Sequence, residues 1–364
     1  MSVHKVKAHK TAAHPRASAS GRLGSRITAS GRHKAVFYAV LIAVPAIVAV
    51  LCICVGRYSS TFGETLTALW RMVTGQGEGD KLVKVIFEMR LPRVVLAMLV
   101  GGGLSAAGLA FQSLFANPLA TPDTLGVASG ASFGAVAALL FGLSLPFVQI
   151  SALIAGFIAV ALTLAVGKGS RGSRSLTSMI LGGMVISSLF SALISLAKLV
   201  ADTDSKLPAI TYWLMGSLSS ATWNSLTFGV PFILAGIIIL FAIRWRLNIL
   251  PLSEDEVKAS GSNVGTLRFI TALAGTMITA ACVSLCGQVG WVGLLVPHIC
   301  RMALGSDNLV LVPASISVGA VFMMLMDTAA RSMTASEIPI SVLTAIVGAP
   351  FFIALLRKTG GWSL

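Results

Sequence analysis

The residues best equipped for chemistry are three arginines and one aspartate. Arg90 and Arg93 close the two ends of the tetrapeptide RLPR, and Arg331 follows Asp327 by one helical turn. A guanidinium is permanently charged and forks toward carboxylates, so the set can snorkel to lipid headgroups or receive acidic residues of a protein partner. Asp327 can orient Arg331 as an i,i+4 pair. A second group lies between Leu250 and Val264, LPLSEDEVKASGSNV, where Ser253 and Glu256 have capping-box spacing. Glu254, Asp255 and Glu256 suit the positive first turn of a short helix that continues through Val257 and Lys258, and Gly261 can end it. Such a helix is more structured than a connection requires and is a candidate docking element. His298, in LLVPHICR, is the one histidine beyond the first 34 residues and reads as structural. Five cysteines show no zinc spacing and read as buried free thiols.

These residues need a scaffold, and composition fixes its solvent. The 364-residue chain is 55% hydrophobic and only 11% charged, less than half the charge of a typical soluble domain. It reads as an all-α membrane protein with about ten spans of roughly 20 residues. Their expected limits are 35–55, 93–115, 124–141, 146–166, 176–199, 223–242, 266–285, 288–304, 310–328 and 338–356. Basic residues in alternate short loops place both termini in the cytoplasm and the long stretch 56–92 outside. Arg90, Arg93 and Arg331 then face the exterior, and the 250–264 segment faces the cytoplasm.

The domain reading follows: a basic cytoplasmic tail over 1–34, a ten-helix domain over 35–358, and a short cytoplasmic end over 359–364. The tail holds eight Lys and Arg and no acid, which suits anionic lipid rather than nucleic acid. Gly126, Gly130 and Gly134 are spaced four apart and are expected to share one helix face against a neighbour, while Gly101, Gly102, Gly103 and Gly108 thin the preceding span. Five spans in each half permit an inverted repeat. The midplane reads as almost uncharged, which argues against an ion-coupled carrier. Without a GxxxxGK[ST] loop, any ATP must bind another subunit.

Three blocks carry a family resemblance: RLPRVVLAMLVGGGLSAAGLAFQSLFANPLATPDTLGVASGASFG at 90–134, GQVGWVGLLVPHICR at 287–301, and MDTAARSMTASEIPISVLTAIVGAPF at 326–351. They resemble FecCD-type permeases of ABC importers for iron–siderophore complexes, haem and vitamin B12. The resemblance implies a type II importer bundle in the cytoplasmic membrane, a second identical or related permease, two cytosolic ATPases holding ATP and magnesium, and an external solute-binding protein. It implies no cofactor and no covalent chemistry in this chain, and an iron chelate, ferric siderophore first, as cargo. By the same resemblance Arg90, Arg93 and Arg331 receive acids of the binding protein, and 253–264 couples to the ATPase. Ala116 ahead of the NPLA block and Ser260-Gly261 in the coupling segment depart from the family pattern.

Overall fold

The computed structural model describes residues 31–56, 61–76, 79–167, 176–252, 256, 263–334 and 336–358. Among them there is no strand. The helices are α1 (Gly31–Cys54), α2 (Phe62–Val73), α3 (Lys81–Val85), α4 (Leu91–Leu114), α5 (Val127–Leu140), α6 (Leu145–Val166), α7 (Leu176–Val200), α8 (Lys206–Leu214), α9 (Trp223–Ile243), α10 (Val264–Cys286), α11 (Val292–Leu304), α12 (Asn308–Ser332) and α13 (Ile340–Lys358). Among the described residues seven apolar helices are long enough to cross a membrane, and three shorter ones, α5, α11 and α13, bring the expected ten apolar segments into the bundle.

Four boundaries differ from the sequence reading in ways that matter. The second span begins twelve residues early, because α3 runs through a π-helical turn, Ile86–Arg90, directly into α4. Pro92 cannot donate a helical hydrogen bond, and the widened turn just ahead of it keeps the chain helical by bonding Leu91 N–H to Ile86 O. The third and eighth spans are the reverse case: α5 has 14 residues and α11 has 13, about 21 and 20 Å at 1.5 Å per residue. Pro122 and a left-handed Gly126 hold back the start of α5, while positive φ at Gly287 and Trp291 hold back α11. Finally α1 starts at Gly31, inside the stretch assigned to the tail, and the loop 56–92 contains α2 and α3.

The core is a seam of bare backbone. A Cβ on Gly101 would collide with Gly319 O and one on Gly108 with Gly293 O, so α4 lies directly on α12 and α11. Gly130 and Gly134 do the same for α5 against Ala155, Ala159 and Ser151 of α6. Gly126 corrects the expectation of a three-glycine face. It stands outside the helix at φ +75°, beside Gly183, Ile186 and Ser187 of α7, because a turn entering α5 needs the left-handed conformation there. Around this core α1, α7 and α9 present mostly exposed apolar side chains, as lipid-facing helices do.

Candidate functional site: a three-arginine pocket, a mid-depth cavity and a polar clamp

At one end of the bundle the arginines converge with the end of α1. Arg90 is 5% exposed and donates from Nη1 to Ile53 O at 2.8 Å. Arg331 is 7% exposed, donates from Nη2 to Cys52 O, and pairs with Asp327 at 3.6 Å. The expected Asp327–Arg331 pair is therefore present, but the shorter bond to Asp327 comes from Arg93, whose Nε donates to Oδ1 at 2.8 Å. Arg93 Nη1 and Nη2 donate to the two oxygens of Glu337 at 3.0 and 2.9 Å, a bidentate fork. The pairing of Arg93 with Asp327 and Glu337 was invisible in the sequence, since 234 and 244 positions separate the partners. Buried and paired in this way, the arginines do not project as surface charges. They line an open pocket of about 420 Å³ together with Glu88, Glu337, Gly56 and Thr222.

Helix α3 reaches the pocket wall at Val85, and α2 packs against α3. Thr61 and Glu64 form a reciprocal capping box at α2. Asp80 caps α3 and bonds Arg71 at 3.1 Å. The Leu82 N–H holds the Asp80 carboxyl below the usual range, with Arg71 adding to it against slight burial.

Deeper in the bundle a cavity of about 220 Å³ is walled by Leu104, Thr121, Asp123, Thr279, Cys282, Gln288 and Trp291. Its irregular walls are the chain entering α5 and the chain entering α11. Gly293 packs on Leu104 and Gly108, which lie roughly 16–22 Å along α4 from Arg93 at 1.5 Å per residue, near the middle of a core about 30 Å thick. Non-helical backbone at such depth is tolerated where it lines a polar cavity. The exposed Asp123 accepts from Ser129 N and Oγ at 3.2 and 3.1 Å. This corrects the expectation of an almost uncharged midplane: the Thr-Pro-Asp turn doubles back into the bundle, whereas a hydropathy window places it at a span's end. Trp291, at φ +68°, reaches 2.9 Å from the position of a Cβ on Gly348 of α13 and lies edge-on to Phe352.

At the opposite end a polar clamp joins four elements. Arg301 Nη2 donates to Gln112 Oε1 at 2.9 Å, and Asn308 Nδ2 to Ser113 Oγ at 3.4 Å. Asn248 Nδ2 donates to Asp307 Oδ1 at 2.8 Å, while the Asn308 N–H donates to Asn248 Oδ1 at 2.9 Å. Asn248 belongs to the 3-10 turn Arg246–Ile249, immediately before the expected coupling segment. Within that segment Glu256 is helical and exposed. Ser253, Glu254, Asp255, Val257, Lys258 and Gly261 lie outside the described residues, as does the tail through residue 30. His298 sits on α11 with its ring 6.4 Å from that of Phe352.

An all-helical bundle with a charged pocket at one end, a mid-depth cavity and a clamp at the other is that of a multi-pass membrane permease. The chain belongs to the FecCD transport family, whose model matches residues 42–358, and it is an ABC importer permease. It is 42% identical to the molybdate import system permease protein MolB of Haemophilus influenzae, over 86% of this chain and 92% of that protein. It is 37% identical to a protein of Helicobacter pylori named Probable iron chelatin transport system permease protein, over 78% of this chain and 86% of that one. A solved structure named "An inward-facing conformation of a putative metal-chelate type ABC transporter" superposes with a TM-score of 0.79 at 39% identity, covering 88% of this chain and 98% of that chain.

Proposed function

We propose that this chain carries a metal complex across the cytoplasmic membrane by alternating access, driven by separate ATPase subunits, with an iron chelate as cargo. The observation that carries the transport reading is the cavity formed where the third and eighth apolar helices both start short at mid-depth. Paired interrupted segments at matching places in two halves mark the substrate region of many transporters. Asp123 is the one carboxylate on that wall among the described residues, and a fixed negative charge there suits a cationic or neutral chelate better than an oxyanion. The 42% identity to a molybdate permease favours a second reading, molybdate itself.

On this reading the arginine pocket faces outward and takes acidic residues of a solute-binding protein. The clamp end faces the cytoplasm, with 253–264 against the ATPase. A second copy of the chain would complete the pathway along α7, which exposes Ser188, Ser191 and Ser195 on one face. Ser187 of the same helix donates to Asp123 O at 3.4 Å, which joins that face to the cavity rim. The permease itself does no covalent chemistry. ATP closure moves the coupling segment, and Asn248 passes the movement to α12 and α4.

The test is ATP-dependent uptake of labelled ferric siderophore, haem, cobalamin and molybdate into proteoliposomes holding the permease, its ATPase and its binding protein. Uptake of an iron chelate supports the first reading, and uptake of molybdate alone replaces it with the second. Uptake without ATP would sink both.

A further inference from the structure

We propose that Glu337 holds the seat that an acidic side chain of the external partner takes on docking, so that docking is an exchange of carboxylates at Arg93. The inference rests on the reading of the arginine pocket as the docking surface. Arg93 offers two distinct faces. Its Nε edge is committed to Asp327, whose side chain is 1% exposed, which sits on α12 and which also pairs with Arg331. Its Nη1/Nη2 fork is held by Glu337, whose side chain is 21% exposed. Glu337 lies on the non-helical connection between α12 and α13, and it shares the wall of the 420 Å³ pocket with all three arginines. Of the two carboxylates, only Glu337 can leave without unpacking a helix.

Charge decides what replaces it. Among the described residues, Glu88 and Glu337 share the pocket wall with the three arginines, and Asp327 pairs with Arg93 and Arg331. Withdrawal of Glu337 takes the carboxylate from the Arg93 fork, and a carboxylate on the partner restores it in the same bidentate geometry. An aliphatic or basic partner side chain does not.

The exchange reaches the transport cavity through short links. Beyond Glu337, the Ile338 N–H donates to Ala330 O at 3.1 Å and the Ile340 N–H to Gly216 O at 3.0 Å. Helix α13 then carries Gly348 against Trp291, and Trp291 walls the mid-depth cavity. Releasing Glu337 therefore frees a side-chain tether between the α12–α13 connection and α4. A docked partner would loosen the helix that backs the cavity wall.

The experiment uses the permease assembled with its ATPase in lipid nanodiscs and, as probe, the solute-binding protein that stimulates its ATP hydrolysis. Its Kd is measured on the native chain, on Glu337→Gln and on Arg93→Gln. Exchange requires Glu337→Gln to tighten docking by about three- to tenfold, since an internal competitor reduces apparent affinity by the fraction of sites it holds, and Arg93→Gln to weaken docking more than tenfold. Weak docking of Arg93→Gln with unchanged or weaker docking of Glu337→Gln overturns the exchange and leaves the docking surface standing. Normal docking of Arg93→Gln overturns the docking surface itself. Should Glu337→Gln fail to assemble, a nitroxide at the exposed Ser336, as Ser336→Cys, reads the same event. Docking raises its mobility if Glu337 leaves, and an unchanged spectrum overturns the proposal.

Discussion

Arg93 and Asp327 stand 234 positions apart in the chain and 2.8 Å apart in the fold, joined by a hydrogen bond between ions. The bond fastens the start of α4 to the end of α12 where both leave the apolar core. Arg331 approaches the other oxygen of Asp327 at 3.6 Å, so one buried carboxylate serves two guanidinium groups.

Removing that carboxylate leaves two cations without their shared partner. Asp327→Asn should destabilise the permease by about 3–5 kcal/mol, the range for breaking one side of a buried ion pair. Chemical unfolding of the purified protein in detergent checks this, and a loss below about 1 kcal/mol would mean that water already compensates the site.

The glycine seam predicts intolerance to a single methyl group. Gly108→Ala drives a Cβ into the Gly293 carbonyl, and overpacking of this kind costs about 1–3 kcal/mol. Gly63→Ala is the control, since its Cβ meets open space. A thermal melt in detergent should separate the two, and equal melting temperatures would refute direct backbone contact between α4 and α11.

Asp123 is proposed to set the charge preference of the cavity. Asp123→Asn should lower ATP-driven uptake of a cationic or neutral ferric chelate by about tenfold, roughly 1.4 kcal/mol, while leaving ATPase assembly intact. If uptake of the chelate is unaltered, the carboxylate serves only to cap Ser129.

The two ends should be separable by mutation. Glu254→Lys with Glu256→Lys is expected to abolish co-purification of the ATPase without disturbing the arginine pocket. Asn248→Ala should keep the ATPase bound yet uncouple hydrolysis from uptake, because it cuts both bonds to Asp307 and Asn308. Retained coupling in Asn248→Ala would show that force passes by another route.

Apolar run length made the ten segments legible, and the RLPR, NPLA and PHICR blocks made the family legible, because lipid imposes a simple rule on sequence. What the sequence hid depends on tertiary contact. Glu337 carries no local signal, although it closes a fork on Arg93. Asp123 sits in a Thr-Pro-Asp turn that a hydropathy window treats as a span's end, although the turn folds back to mid-depth. The one local signal was Pro122 followed by Gly126, a pair that delays a helix. Asn248, Gln112 and Asn308 carried no pattern, since uncharged amides at helix ends are common, and only their meeting in space gives them a role.

The glycine seam also divides the bundle by stiffness. Where carbonyl rests on bare Cα there is no side-chain rotamer to adjust, so α4, α11 and α12 can shift only as a block. Helix α7 has most of its surface facing away from the bundle, and it meets bare backbone where Gly183 lies against Thr124 O. A cycle that opens first to one side and then to the other must place its strain outside that block, and the positive-φ turns at Gly126 and Gly287 are non-helical joints beside it. The seam is the lever of the machine, and the turns beside it are its hinges.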